Sequence, residues 1–229
     1  TTMPDTKTSG MIGVGNNTRG LFAGGETGYT NRIAYITIDT TGTVTDFGDL
    51  TVARKDLGAS SDGTTAIFMG GESGETTMDY VTIGTASTAC QVWGYQTGNT
   101  YTLSGGSYNA GTGVISNGVR GVMALGGSTS SGTYLTTIEY ITFATPANSA
   151  DFGDLYQGRS SPMQCSDGSR GVWGGGKYTN GGGSSVTRID YLAIAVSTSP
   201  ISTATEFGDL SASRYAGMGG VSDSGADKS

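Results

Sequence analysis

The stretch Thr45-Asp46-Phe47-Gly48-Asp49-Leu50-Thr51-Val52-Ala53-Arg54 returns as Asp151-Phe152-Gly153-Asp154-Leu155 leading to Arg159, and as Glu206-Phe207-Gly208-Asp209-Leu210 leading to Arg214. A fourth, degenerate copy is Gln91-Val92-Trp93-Gly94-Tyr95, which keeps the aromatic–glycine centre. Each arginine lies four residues past its leucine, and a turn signal follows eight or nine residues later: Asp62-Gly63, Asp167-Gly168 or Asp223-Ser224. In the degenerate copy the turn is Asn117-Gly118. A repeat of roughly fifty residues is one supersecondary unit that buries its faces only by stacking on its neighbours.

Working outward, a glycine pair closes an apolar run four times, at Gly24-Gly25, Gly70-Gly71, Gly126-Gly127 and Gly175-Gly176. A second run then opens on a tyrosine: Tyr35-Ile36-Thr37-Ile38, Tyr80-Val81-Thr82-Ile83, Tyr140-Ile141-Thr142-Phe143 and Tyr191-Leu192-Ala193-Ile194. The tyrosines are 45, 60 and 51 residues apart, and an acid precedes three of them, Asp79, Glu139 and Asp190. Each unit therefore reads as four short strands. The first runs from the arginine to the Asp-Gly turn, the second ends at Gly-Gly, the third starts at the tyrosine, and the fourth carries the aromatic. Asp-Gly and Asn-Gly suit two-residue hairpins, whose central positions take positive φ. Four antiparallel strands with regular turns make a propeller blade, so the expected fold is all-β. It is a β-propeller of about four, or with a truncated last unit five, four-stranded blades. The units are 7–50, 51–104, 105–155 and 156–210, with 211–229 a closing or extra strand. Phe47, Trp93, Phe152 and Phe207 are the expected wedges between blades. Residues 7–16 already read as a first strand, with Lys7 in the arginine's place, so one first strand is surplus.

Composition agrees. Glycine makes up 41 of 229 residues, against a usual share of about 7%, and no stretch shows sustained helical periodicity. The net charge of −7 disfavours nucleic acid. No apolar run approaches a membrane span, so no membrane insertion is expected. Thr1-Thr2-Met3-Pro4 is neither a signal peptide nor a targeting segment, and the sequence is expected to start inside a longer product. Cys90 and Cys165 sit at different positions of different units and are expected to be separate buried thiols.

The pattern resembles the kelch repeat: an arginine before the first strand, a double glycine closing the second, a tyrosine in the third and an aromatic in the fourth. Arg54, Gly70-Gly71, Tyr80 and Trp93 take those places in one unit, and Arg159, Gly175-Gly176, Tyr191 and Phe207 in another. Phenylalanine in place of tryptophan in three copies marks a divergent subgroup. The repeats at 33–71 and 138–176 also resemble those of virion and tail-fibre-like proteins of marine cyanobacterial phages. That resemblance implies a location in the virion, with other virion proteins and a host-surface glycan or protein as partners, within a homo- or hetero-oligomeric assembly.

Chemistry is sparse in the sequence. There is no histidine, which removes Ser-His-Asp and Cys-His nucleophiles and the commonest acid/base at neutral pH, as well as copper held by histidine. No cofactor and no metal are expected, and the protein is read as a non-enzyme. The acid pairs Asp46/Asp49, Asp151/Asp154 and Glu206/Asp209 recur in most units, as building residues do. Their expected roles are capping turn amides or pairing with Arg54, Arg159 and Arg214. Binding is sought where the repeat is broken. One such place is the enlarged connection from Trp93 to Asn117, with Tyr95, Tyr101 and Tyr108. The other is the loop of Lys177, Tyr178 and Asn180. Aromatic rings with nearby amides and hydroxyls on a rigid scaffold suit a sugar or a protein partner. The leading expectation is a fibre, appendage or decoration component of a phage particle. The alternative is a secreted, lectin-like propeller.

Overall fold

The computed structural model describes residues 10–25, 30–71, 75–85, 89–97, 113–128, 133–178, 184–195 and 203–214. These residues form strands and turns without a helix. Tyr101, Tyr108, Asn180 and Lys7 lie outside the described residues, as do 215–229.

Four antiparallel sheets follow one another along the chain. The first is β1 (Ile12–Gly15), β2 (Arg19–Ala23), β3 (Arg32–Thr37) and β4 (Thr45–Asp49), in that spatial order. The second is β5 (Gly58–Ser61), β6 (Thr65–Met69), β7 (Thr77–Thr82) and β8 (Gln91–Tyr95), again in order. The third holds β9 (Gly113–Ser116), β10 (Arg120–Ala124), β13 (Thr137–Thr142) and β14 (Ala150–Asp154). A two-stranded ribbon, β11 (Gly127–Ser128) with β12 (Thr133–Tyr134), bridges its middle. The fourth is β15 (Met163–Ser166), β16 (Arg170–Gly174), β18 (Ser184–Ala193) and β19 (Thr205–Arg214), with β17 (Lys177–Tyr178) also on β18.

Two boundaries differ from the sequence reading. The third strand begins three residues or more before its tyrosine, at Arg32, Thr77, Thr137 and Ser184, because those residues already pair with a neighbouring strand, Arg32 with Asp49, Thr77 with Tyr95, Thr137 with Asp154 and Ser184 with Tyr178. The first strand begins four residues after the arginine, at Gly58 and Met163, because Arg54 and Arg159 are folded inward and buried. The turns differ as well. Positive φ is confined to Gly63, Gly118 and Gly168, and the preceding Asp or Asn is not among the positive-φ residues. Its side chain acts instead: Asp62 Oδ1 accepts the amides of Thr64 (2.8 Å) and Thr65 (2.7 Å). Asn16, Asn117 and Asp167 each do the same with the residues two and three ahead.

The sheets pack face to face, and the apolar core is divided among their three junctions. Phe47 and Leu50 of the first unit meet Leu57, Phe68, Val81 and Ile83 of the second. Trp93 meets Met123, Ile141 and Phe143 of the third. Phe152 and Leu155 meet Trp173, Leu192 and Ile194 of the fourth. The first strands keep step: β5 lies beside β1, β9 beside β5, and β15 beside β9.

Candidate binding surface

The wedge aromatic occupies a β-bulge in every sheet. Ile33 pairs with Gly48 and Ala34 with Asp46, so Phe47 is the extra residue. Trp93, Phe152 and Phe207 are skipped in the same way. The following glycine takes φ +147° at Gly48 and Gly153 and +151° at Gly208, a region open to glycine. A bulge kinks its strand locally and presents the ring to one face. There the ring meets its own sheet's tyrosine edge-on: Tyr35–Phe47 at 5.8 Å, Tyr80–Trp93 at 5.1 Å, Tyr140–Phe152 at 5.6 Å and Tyr191–Phe207 at 5.9 Å between centroids. Arg19, Arg120 and Arg170 lie over Tyr35, Tyr140 and Tyr191.

Trp93 is thereby withdrawn from the candidate binding residues, since it is 5% exposed and wedged between the second and third sheets. Phe207 departs in the opposite sense: it is 58% exposed, because among the described residues no further sheet covers the outer face of the fourth.

The acid pairs do not hold the buried arginines. Arg54 Nη2 reaches Asp79 Oδ2 at 2.8 Å, both groups buried, and Arg159 pairs with Asp190, also buried. The partner is thus the acid before the tyrosine. Burial lowers the pKa of both arginines, that of Arg159 to about 10, and both stay charged at neutral pH. Arg214, the third of the set, is exposed, and its Nη1 donates to the carbonyl of Ser213 at 3.2 Å. The acid pairs bond within their own sheets. Asp46 takes Arg32 Nε at 3.2 Å, Glu206 takes Arg188 Nη1 at 2.9 Å, and Asp154 and Asp209 accept the hydroxyls of Thr136 and Thr187. Asp151 accepts the amide of Gly153.

The remaining candidates lie apart. Tyr95 ends β8, is 50% exposed, and its amide donates to Asn148 Oδ1 at 3.0 Å. Lys177 and Tyr178 form β17, two sheets further on. Tyr178 is 39% exposed, and Lys177 is tied through its backbone to Ser160. The third sheet stands between the two groups. One surface pair escaped the sequence reading: Arg188 lies 3.9 Å over the ring of Tyr156, which is 63% exposed. The signal available for it was Tyr156 standing where the other units have Thr51 and Thr97.

Cys90 and Cys165 are both free. Cys90 is buried as expected, and burial pushes its thiol pKa well up, whereas Cys165 is exposed. Among the described residues no group of three His, Cys, Asp or Glu is placed to hold a metal ion. No family model matches the chain, and no curated protein matches it significantly.

Proposed function

We propose that the four sheets are blades of a kelch-like β-propeller, and that this scaffold serves as a non-enzymatic structural or adhesion component of a phage particle. The observation that carries the reading is where the repeat's polar residues are engaged. The arginines at two junctions, the acids before the tyrosines and the acid pairs bond within and between the sheets, as residues that build a scaffold do. Departures from the repeat are what remain for recognition: the exposed rings of Tyr95, Tyr156 and Tyr178. Rings of this kind with amide and hydroxyl neighbours suit a host-surface glycan or another virion protein.

The test is to locate the chain in purified particles by mass spectrometry and labelled-antibody microscopy. The purified chain is also used to compete with particles for adsorption to host cells. The expected result is a particle-borne chain whose competition weakens with Tyr95→Ala or Tyr178→Ala. Absence from particles, together with direct binding to a glycan array, transfers the protein to the lectin reading. Absence from both overturns the proposal.

A further inference from the structure

The turn between the first two strands of each sheet is capped by Asn16, Asp62, Asn117 or Asp167, whose side-chain oxygen takes the amides two and three residues ahead. In the two asparagine turns the side chain has a second task. Asn16 Nδ2 donates to the Gly63 carbonyl of the second unit at 2.9 Å. Asn117 Nδ2 donates to the Ile194 carbonyl of the fourth unit at 3.1 Å. An ionised carboxylate only accepts, so Asp62 and Asp167 cap their turns without a proton to offer across a junction. Asparagine at this place therefore ties its turn to the next sheet, and aspartate does not.

Asn16 is followed by Asn17, but Asn117 is followed by Gly118. The backbone nitrogen after an asparagine is a nucleophile within reach of that asparagine's own Cγ, and glycine leaves the approach unhindered by a Cβ. In the closed turn every group this reaction needs is engaged. The Gly118 N–H donates to Ser116 Oγ at 2.9 Å. Asn117 Oδ1 accepts the amides of Val119 at 3.0 Å and Arg120 at 2.8 Å. The leaving nitrogen, Nδ2, is the one held by Ile194. A second Asn-Gly, at 180–181, lies outside the described residues.

We propose that Asn117-Gly118 is a deamidation site gated by the junction between the third and fourth sheets, and that its product releases the tie that guarded it. When the turn opens, the Gly118 nitrogen bonds to Asn117 Cγ. The Cγ–Nδ2 bond breaks, and Nδ2 leaves as ammonia with the proton from the Gly118 N–H. Water then adds to the cyclic imide. Cleavage at Cγ gives aspartate, and cleavage at the backbone carbonyl carbon gives isoaspartate, whose main chain runs through Cγ. The aspartate product keeps the cap, as Asp62 and Asp167 do, but sets a carboxylate against the Ile194 carbonyl, acceptor against acceptor. The isoaspartate product loses the side-chain cap as well. Either way the step runs in one direction, because the ammonia is gone. The inference rests on the turn and the junction and not on the proposed role in a particle.

The test incubates the purified protein at mildly alkaline pH, folded or unfolded in urea, and separates asparagine, aspartate and isoaspartate forms of the 117 peptide by mass spectrometry. Conversion in the folded protein is expected to run roughly tenfold or more below that in the unfolded chain, since it waits on local opening. Ser116→Ala frees the Gly118 amide and is expected to raise the folded rate while leaving the unfolded rate unchanged. Asn117→Asp stands for one product, in a turn that Asp62 and Asp167 show to be compatible with aspartate. In it the Ala204 amide, which donates to the Asp154 carbonyl of the third sheet at 2.7 Å, is expected to exchange with solvent roughly threefold or more faster than in the unaltered protein. Equal conversion in folded and unfolded protein, no conversion in either, or a folded rate indifferent to Ser116→Ala overturns the gating. Unchanged exchange at Ala204 in Asn117→Asp overturns the release.

Discussion

Asp79 gathers two donors from Thr51 and one from Arg54, so the segment leaving the first sheet is bolted to the second. Removing one partner of a buried ion pair leaves the other charge unpaired, at a cost of about 3–5 kcal/mol, whereas replacing both by apolar groups is far milder. Asp79→Ala is therefore expected to lower the denaturant midpoint sharply, and Arg54→Met with Asp79→Leu to restore most of it, as read by urea unfolding. Cysteine reactivity is set by similar local facts. An aromatic disulfide reagent is expected to label Cys165 at once and Cys90 only on unfolding. Rapid labelling of both thiols in the native protein would contradict the burial of Cys90.

The turn and the bulge are the two elements on which each sheet depends. At the turn, an Asx side chain takes the two amides ahead of it. The backbone amides of Arg170 and Ser169 hold the Asp167 carboxyl below its ordinary value of 3.8. Because its folded-state pKa is depressed, its contribution is present above that ordinary value and fades as pH falls through the folded one. Asn16 and Asn117 make the same bonds without titrating. Asp167→Asn is thus expected to preserve stability at neutral pH and to reduce the loss of melting temperature on acidification below pH 3.8. Asp167→Ala is expected to lower the melting temperature at every pH above that range. Identical acid profiles for wild type and Asp167→Asn would refute this role. At the bulge, the motif Phe-Gly-Asp was readable as a recurring aromatic, but its function as the unpaired residue was not. Pairing register depends on which residue of the neighbouring strand is opposite, and here that neighbour, the tyrosine strand, begins earlier than its tyrosine.

At the scale of the whole molecule, each described sheet contacts the next, so stability approximates a sum over units and junctions. A wedge within the row and a wedge at its end should then differ widely. Phe152→Ala empties a buried site and is expected to cost about 3–5 kcal/mol. Phe207→Ala removes chiefly an edge-on ring pair and is expected to cost on the order of 1 kcal/mol. Urea unfolding of the two variants checks the difference, and equal losses would show that the outer face of the fourth sheet is covered in solution.

Much of this was legible in the sequence. The all-β class, the four units, the glycine pairs, the tyrosine strands and the aromatic motif follow from the chain's own repetition, because a recurring pattern with turn residues at fixed offsets admits only local hairpins. The glycine pair also has its reason in close approach: a Cβ on Gly24, at φ +72°, would lie 2.6 Å from the Arg54 carbonyl oxygen. Tertiary packing alone decided which acid serves which arginine, that Trp93 is buried while Phe207 is uncovered, and that Tyr95 and Tyr178 stand on separate sheets. Those outcomes depend on what lies across a junction. Identical motifs acquire different environments according to whether another sheet is there to cover them, and a single unit's sequence carries no record of its neighbour.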